Sequence, residues 1–353
     1  MINPASLEEE WIRTIARKQK SDPILVEKVI RALYLLELLQ QSELPFIFKG
    51  GTALMLMQAG PKRFSIDIDI IVSEKPKNME QLFTDIIEKS DFIEYKADKR
   101  QSKSKIEKAH YKFYYKPTSN SRAKSEYILL DILYEASHYG VYTQEIAIKS
   151  PFVKTDEPEI NVMVPLPEAI LGDKLTAYAP NTTGIPYGVG KEVEIIKQLF
   201  DVGHLFNMTQ DLRIIAVVFK QFAKTELAYR AIKGTPDNVL EDIIQTGTVI
   251  CTRGKSGEGD FNQLQQGIKN IRNFIFSERF HIERAITLAA KASYLAALIK
   301  KGGSEIKRFT DPSEIAEWII EQPFETRLNK LKKSNPEAFF YWYQTTKLMA
   351  PAG

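Results

Sequence analysis

Two aspartates one residue apart, Asp67 and Asp69 in "FSIDIDIIV", are the residues of this chain best placed to do chemistry. In an extended strand, residues two apart face the same side, so this spacing sets two carboxylates side by side. They repel unless a cation lies between them, and Mg2+ prefers oxygen ligands combined with substrate phosphates. Just upstream, "FIFKGGTALMLM" reads as a short strand, a diglycine turn and a helix. Gly50 and Gly51 carry no Cβ, which lets a phosphate approach the open N–H groups at a helix start. Thr52 is placed to cap that helix and to offer its hydroxyl to a phosphate oxygen. Lys49 is either a phosphate contact or a surface lysine beside a turn. Downstream, "EYILLDILYE" sets Asp131 among aliphatic residues, as a central strand would. It is a candidate third metal ligand, or the base for an acceptor hydroxyl. A phosphate cradle, a metal-binding pair and a third carboxylate together make machinery for phosphoryl or nucleotidyl transfer. Two Mg2+ ions are the expected cofactor, with Mn2+ able to substitute.

Positioning these residues requires an α/β framework, and the pattern supplies one. "SDPILVEKVIRALYLLELLQQ" is a helix with Ser21 or Asp22 as cap, Pro23 in its first turn and an apolar stripe of Val26, Val29, Ile30, Leu33 and Leu36. "LPFIFKGG", "FSIDIDIIVS", "AHYKFYYKP" and "SEYILLDILYEA" read as strands, and "NMEQLFTDIIEKS" as a helix between them. The turn-rich "SPFVKTDEPEINVMVPLPEAI" marks a change of composition, and helical spacing then runs nearly to the end. Two domains are expected, residues 1–160 as an α/β part and 161–353 as a helical part. The Gly/Pro loop "PNTTGIPYGVGK" interrupts the helices early and is a candidate for closing over a substrate. "CTRGKSGEGD" imitates the end of a phosphate loop, but Val249 stands where its first glycine should be, so it reads as an ordinary loop.

Composition narrows the class. The chain is 44% hydrophobic and 26% charged, as expected of a globular protein with a full core. No run approaches the roughly 20 apolar residues of a membrane span. Cys251 is the one cysteine and cannot form an internal disulfide, so a reducing cytoplasm is the natural setting. Four scattered histidines exclude a Cys/His zinc site. The net charge of +3 hides an uneven spread, because residues 96–124 hold ten Lys or Arg against Asp98 and Glu107. Such a block attracts a polyanion, whether nucleic acid or a nucleoside triphosphate, or is a solvated basic hairpin. Within it Tyr111, Phe113, Tyr114 and Tyr115 interleave with Lys108, Lys112 and Lys116, which suits stacking on bases with phosphates alongside, or the burial of one strand face.

The stretch "FKGGTALMLMQAGPKRFSIDIDI" resembles the signature of the AbiEii/AbiGii nucleotidyltransferase toxins, a branch of the DNA polymerase β-type superfamily. The matching pieces are Gly50-Gly51-Thr52, Arg63-Phe64-Ser65, Asp67-Ile68-Asp69, then Lys174 in "PEAILGDKLTAYAP" and Asp201 in "KQLFDVGHL". The resemblance covers residues 25–205 in order. It departs at Lys197-Gln198, where the family reads a basic residue followed by aspartate. It implies an α+β fold: a polymerase β-like nucleotidyltransferase core, a mixed β-sheet flanked by helices, then a helical C-terminal domain. It also implies transfer of a nucleoside monophosphate from an NTP to an acceptor, in a toxin of a bacterial toxin–antitoxin system linked to abortive infection. RNA, and the tRNA 3′ end in particular, is the leading acceptor. A protein or small-molecule hydroxyl, or a binding module without chemistry, are the alternatives. A cognate antitoxin encoded nearby is the implied partner and need not bind directly.

Asp67, Asp69 and Asp131 are thus the expected metal ligands, and Lys49, Gly50, Gly51, Thr52 and Arg63 the expected nucleotide contacts. Lys174 lies in an otherwise apolar helix and needs a charged partner there. Triphosphate oxygens would serve, as would Asp173 or Glu168. Asp201 is expected at the same cleft, holding Lys174 or the nucleotide ribose. Lys105, Lys108, Lys112 and Tyr114 are the expected RNA contacts. The aromatics of "PEAFFYWYQTTKLM" read as exposed and offer an interface to the binding-module alternative.

Overall fold

The computed structural model describes residues 1–58, 60–98, 107–120 and 122–351. It divides into two compact units, Met1–Leu166 with Phe274–Glu278, and Pro167–Asn273 with Arg279–Gly353.

The first unit opens with α1 (Glu9–Gln19) and α2 (Pro23–Gln41). Asp22 caps α2 by accepting from the Ile24 amide, and Pro23 occupies the first turn where no amide is needed. Then come β1 (Ile47–Lys49), α3 (Gly50–Met57), β2 (Ile68–Val72), α4 (Met79–Glu88) and β3 (Phe92–Ala97). The long strands β4 (Glu107–Tyr115) and β5 (Glu126–Tyr134) follow, with β6 (Thr143–Ala147) and β7 (Asn161–Pro165) last. The five-stranded sheet runs β1-β2-β5-β4-β3. Only β2 and β5 are parallel; the other three pairings are antiparallel. β6 and β7 form a separate antiparallel pair. That pairing keeps residues 161–165 in the first unit, past the expected boundary at 160. The mixed sheet with flanking helices is the α+β class read from the sequence.

One face of the sheet is apolar. Phe48, Ile70, Ile128, Leu130, Ile132, Phe113 and Tyr115 form a single core with Val26, Val29, Ile30 and Leu33 of α2 and with Phe83 and Ile86 of α4. Phe83 meets Phe113 edge-on at 5.2 Å and Tyr111 at 4.7 Å. Tyr111, Phe113 and Tyr115 therefore belong to the packed face, and the stacking role read for them falls to Tyr114 alone. The alternation in β4 buries one face, as an antiparallel strand beside a core should.

The second unit holds α5 (Pro167–Ala177), α6 (Glu192–Met208), α7 (Leu212–Tyr229), α8 (Pro236–Cys251), α9 (Phe261–Asn270), α10 (Ile282–Lys301), α11 (Leu331–Ser334) and α12 (Pro336–Met349). The helix α10 is buried from Ala285 to Ile299 and forms the centre of this unit. Phe339, Phe340, Tyr341 and Trp342 of α12 are buried too, so the exposed aromatic interface read from the sequence does not exist. The Gly/Pro loop is tied to α8 and α9 near both its ends. Asp242 of α8 accepts from the Asn181 amide at 2.9 Å, from its side chain at 2.8 Å and from the Thr182 hydroxyl at 2.8 Å, and the Gly188 amide donates to Gln263 at 2.8 Å. "CTRGKSGEGD" follows a helix and carries no strand before it, which confirms it as a loop. Among the described residues, no helix is long and apolar enough to cross a membrane.

The phase of β4 is directly testable. Phe113→Ala should cost about 3–5 kcal/mol of stability, while Lys108→Ala should stay within about 0.5 kcal/mol. Urea unfolding of the two variants checks this, and equal losses would contradict the assignment of faces.

Candidate active site

On the other face of the sheet, polar residues meet in register. Lys49 of β1 is the partner of Asp69 in β2, Asp69 is the partner of Asp131 in β5, and Asp131 is the partner of His110 in β4. Strands lie roughly 4.8 Å apart, so the row of four spans about 15 Å. Asp67 sits one residue before β2, which begins at Ile68, and it is exposed. The strand read from Phe64 onward is thus shorter than expected. Residues 63 and 64 pair elsewhere: Arg63 bridges Ile275, and the Phe64 amide donates to Phe274 at 2.8 Å.

The diglycine turn is moulded around these side chains. Gly50 adopts φ +82°, in the left-handed region, and a Cβ there would collide with Asp69 Oδ2. A Cβ on Gly51 would lie 2.6 Å from Ser65 Oγ and 2.8 Å from Arg63 Nη2. The glycines therefore let a carboxylate and a guanidinium close onto the start of α3. Lys49, with extended backbone, is the residue that caps this helix; Thr52 lies inside it. The Thr52 hydroxyl is fully buried and donates to the Asp67 carbonyl at 2.6 Å, fastening α3 to the residue ahead of β2. Arg63 is buried, and its Nη1 donates to the Phe64 carbonyl at 2.9 Å. The Phe64 ring packs against Phe276 at 4.6 Å and Phe152 at 5.8 Å, so distant segments set the guanidinium's place. Lys49 reaches the Tyr139 ring, 5.9 Å from its centroid.

His110 was not among the residues singled out by sequence. Its Nδ1 lies 2.6 Å from Asp131 Oδ1, with both side chains partly buried. The available signal was phase: His110 falls in the same period-two phase as Lys108, Lys112 and Tyr114, residues expected to contact RNA. Among the described residues, no group of three or more His, Cys, Asp or Glu could hold a metal by itself. The donor set nevertheless suits Mg2+, since this ion binds through one or two carboxylates and completes its shell with water and substrate phosphates. Asp67 and Asp69, beside the start of α3, fit that description.

Of the expected RNA contacts, Lys108, Lys112 and Tyr114 share the polar face, and Lys105 lies outside the described residues. Tyr114 pairs in register with Tyr127, ring centroids 5.7 Å apart. Lys96 approaches Tyr114 at 5.0 Å, and Lys112 approaches Tyr127 at 5.1 Å.

In the second unit, Lys174 of α5 and Asp201 of α6 form a buried ion pair at 2.8 Å. Lys174 also donates to Gln198 Oε1 at 3.2 Å. Asp201, rather than Asp173 or Glu168, is thus the protein partner of this lysine, and Gln198 supplies a neutral acceptor where the sequence departs from the family pattern.

One family profile, "Nucleotidyl transferase AbiEii toxin, Type IV TA system", matches residues 31–283, a span that contains the diglycine turn, the carboxylate pair and the lysine helix. The chain belongs to the AbiEii family. It is therefore a nucleotidyltransferase of the type IV toxin–antitoxin class, for which an antitoxin and a nucleotide substrate are implied. Similar solved structures include a candidate nucleotidyltransferase of H. pylori (16% identity, 78% of this chain and 94% of that one, TM-score 0.42). JHP933 of Helicobacter pylori is similar at 15% identity (78% and 90%, TM-score 0.40). An antigenic nucleotidyltransferase-like protein of Paracoccidioides brasiliensis is similar at 15% (59% and 88%, TM-score 0.38). No curated protein matches the sequence.

The ion pair gives this AbiEii chain a clear stability signature. Asp201→Ala leaves a buried ammonium without its partner and should cost about 3–5 kcal/mol, whereas Lys174→Met with Asp201→Leu together should cost far less. Thermal and urea unfolding of the single and double variants read the difference.

Proposed function

We propose that this nucleotidyltransferase transfers a nucleoside monophosphate from an NTP to the 3′ end of an RNA, a tRNA being the first candidate, as a growth-arresting activity tied to phage defence. The acceptor hydroxyl oxygen attacks the α-phosphorus and gives its proton to Asp131 or to solvent, the bond from that phosphorus to the oxygen bridging the β-phosphate breaks, and pyrophosphate leaves. The observation that carries this reading is the register of Asp69 and Asp131 on adjacent strands, with Asp69 closed onto Gly50 at the helix start.

Each residue has a part. The backbone amides at Gly50 and Gly51 and the Arg63 guanidinium hold the triphosphate tail, the role that an N-terminal helix turn and a cation are suited to. Lys49 adds positive charge at the same end of the row, and Thr52 keeps α3 and the Asp67 backbone together. Asp67, Asp69 and Asp131 would hold Mg2+, or Mn2+ in its place. A divalent ion held there would supply positive charge against the charge that develops on the phosphate oxygens. Lys174 is assigned to the triphosphate and Asp201 to orienting Lys174, roles that follow the family pattern.

An RNA acceptor is supported by the Tyr114–Tyr127 pair, which lies on the same face and the same two strands as His110 and Asp131. Aromatic rings on a sheet serve single-stranded bases as stacking surfaces. Four residues of β5 separate Tyr127 from Asp131, roughly 14 Å along the strand.

Two measurements test the proposal. With α-labelled NTPs, Mg2+ and cellular RNA, the wild-type protein should label RNA, and Asp69→Asn should lower the rate at least about 100-fold. Label appearing on protein instead would replace the acceptor, and no transfer to any acceptor would remove the reading. Separately, charge reversal at Lys108 and Lys112 with Tyr114→Ala should weaken RNA binding about 10-fold or more while NTP binding is kept. Unchanged RNA binding would clear this face of the role.

A further inference from the structure

The row across the sheet ends in a histidine, and that contact has a use. An ionised carboxylate only accepts hydrogen bonds, so against it His110 donates through Nδ1, at 2.6 Å from Asp131 Oδ1. The two residues are also register partners, so β4 delivers the ring to the carboxylate by strand pairing. The His110 backbone is held in place as well: its carbonyl accepts from the Asp98 amide at 2.7 Å, and Asp98 in turn pairs with Lys112 at 3.3 Å. Asp131 meanwhile faces Asp69 across the parallel pairing. Two carboxylates on neighbouring strands push each other apart, and a fixed donor on the far side of one of them sets where it stands.

We propose that His110 is a positioning residue: it holds the Asp131 carboxylate in place beside Asp69 and through it sets the affinity of the site for a divalent cation. The proposal rests on the metal-dependent transfer read above. Hydrogen-bonding partners that orient metal-binding side chains typically change metal affinity by about 10–100-fold when removed. His110 needs no contact with substrate for this, and Asp131 carries the effect.

The test uses the full chain, Mn2+ as the probe ion and a non-hydrolysable NTP analogue, with Mn2+ binding read by electron paramagnetic resonance and folding by thermal unfolding. His110→Ala should weaken Mn2+ binding by about 10–100-fold. His110→Asn, which keeps an N–H donor at the δ position, should recover most of the loss and guards against a folding defect in the alanine variant. In an Asp131→Asn background, His110→Ala should change Mn2+ binding less than about 2-fold. Wild-type-like binding by His110→Ala, no recovery in His110→Asn, or an equal loss in the Asp131→Asn background would each overturn the role of His110 while leaving the transfer reading intact. A wild-type protein that binds no Mn2+ in the presence of the analogue would overturn both.

Discussion

Like charges on adjacent strands repel, so a fold that sets Asp69 in register with Asp131 must impose that pairing from elsewhere. The opposite face of the same strands imposes it. Phe48, Ile70, Leu130, Ile132 and Phe113 are all buried against α2 and α4, and strand pairing on one face fixes pairing on the other. A slip of one residue would turn Asp69 toward the helices and Ile70 toward solvent, which the apolar core forbids. Thr52 and Gly50 add the second constraint. The buried hydroxyl ties α3 to the Asp67 backbone, and the missing side chain lets Asp69 lie against the helix start. Core packing thus sets the electrostatics of the site, and the glycines bring it to the helix end where an anion is best held.

What was legible in the sequence was local. Period-two alternation in "FSIDIDIIV" and "EYILLDILY", the diglycine and the apolar stripe of α2 identify the elements and the acidic residues on them. Period alone could not show which strands are neighbours, so the Asp69–Asp131 register and the His110 contact emerge only from topology. The same blindness hid Arg63's support, because its bridge to Ile275 joins positions more than two hundred residues apart in a chain whose intervening helices form another unit. Strands β6 and β7 were missed because prolines and acidic turns surround them, and their pairing is with each other. The aromatics of α12 misled in the opposite direction. Phe, Tyr and Trp crowd that helix on several sides, a pattern that fits burial on all faces as well as an exposed patch.

The lysine of the second unit shows how structure refines a residue that sequence singles out. An apolar helix with one lysine required a charge, and Asp201 supplies it from the neighbouring helix at 2.8 Å. Such a buried pair is weak evidence of net stabilisation, since desolvation offsets much of the attraction. Gln198 adds a neutral acceptor to the same ammonium at 3.2 Å, without a second negative charge.

The polar sheet face carries a related lesson about charge. Counting residues, the stretch from 96 to 124 is strongly basic, yet two of its sheet lysines, Lys96 and Lys112, already meet carboxylates. Lys96 contacts Glu94 at 2.7 Å, Lys112 contacts Asp98 at 3.3 Å, and Lys28, beside Tyr127, contacts Glu126 at 2.9 Å. A phosphate arriving at Lys96 or Lys112 would have to compete with a carboxylate already in place. Binding at this face would then depend more on the Tyr114 and Tyr127 rings than on counterion release, and its affinity would fall less steeply with salt than that of a purely basic groove. Stacking tolerates any base, whereas the proposed transfer would require a hydroxyl at one place. Selection of the acceptor would accordingly lie in how far the rings stand from the carboxylates, a length fixed by the rise of β5.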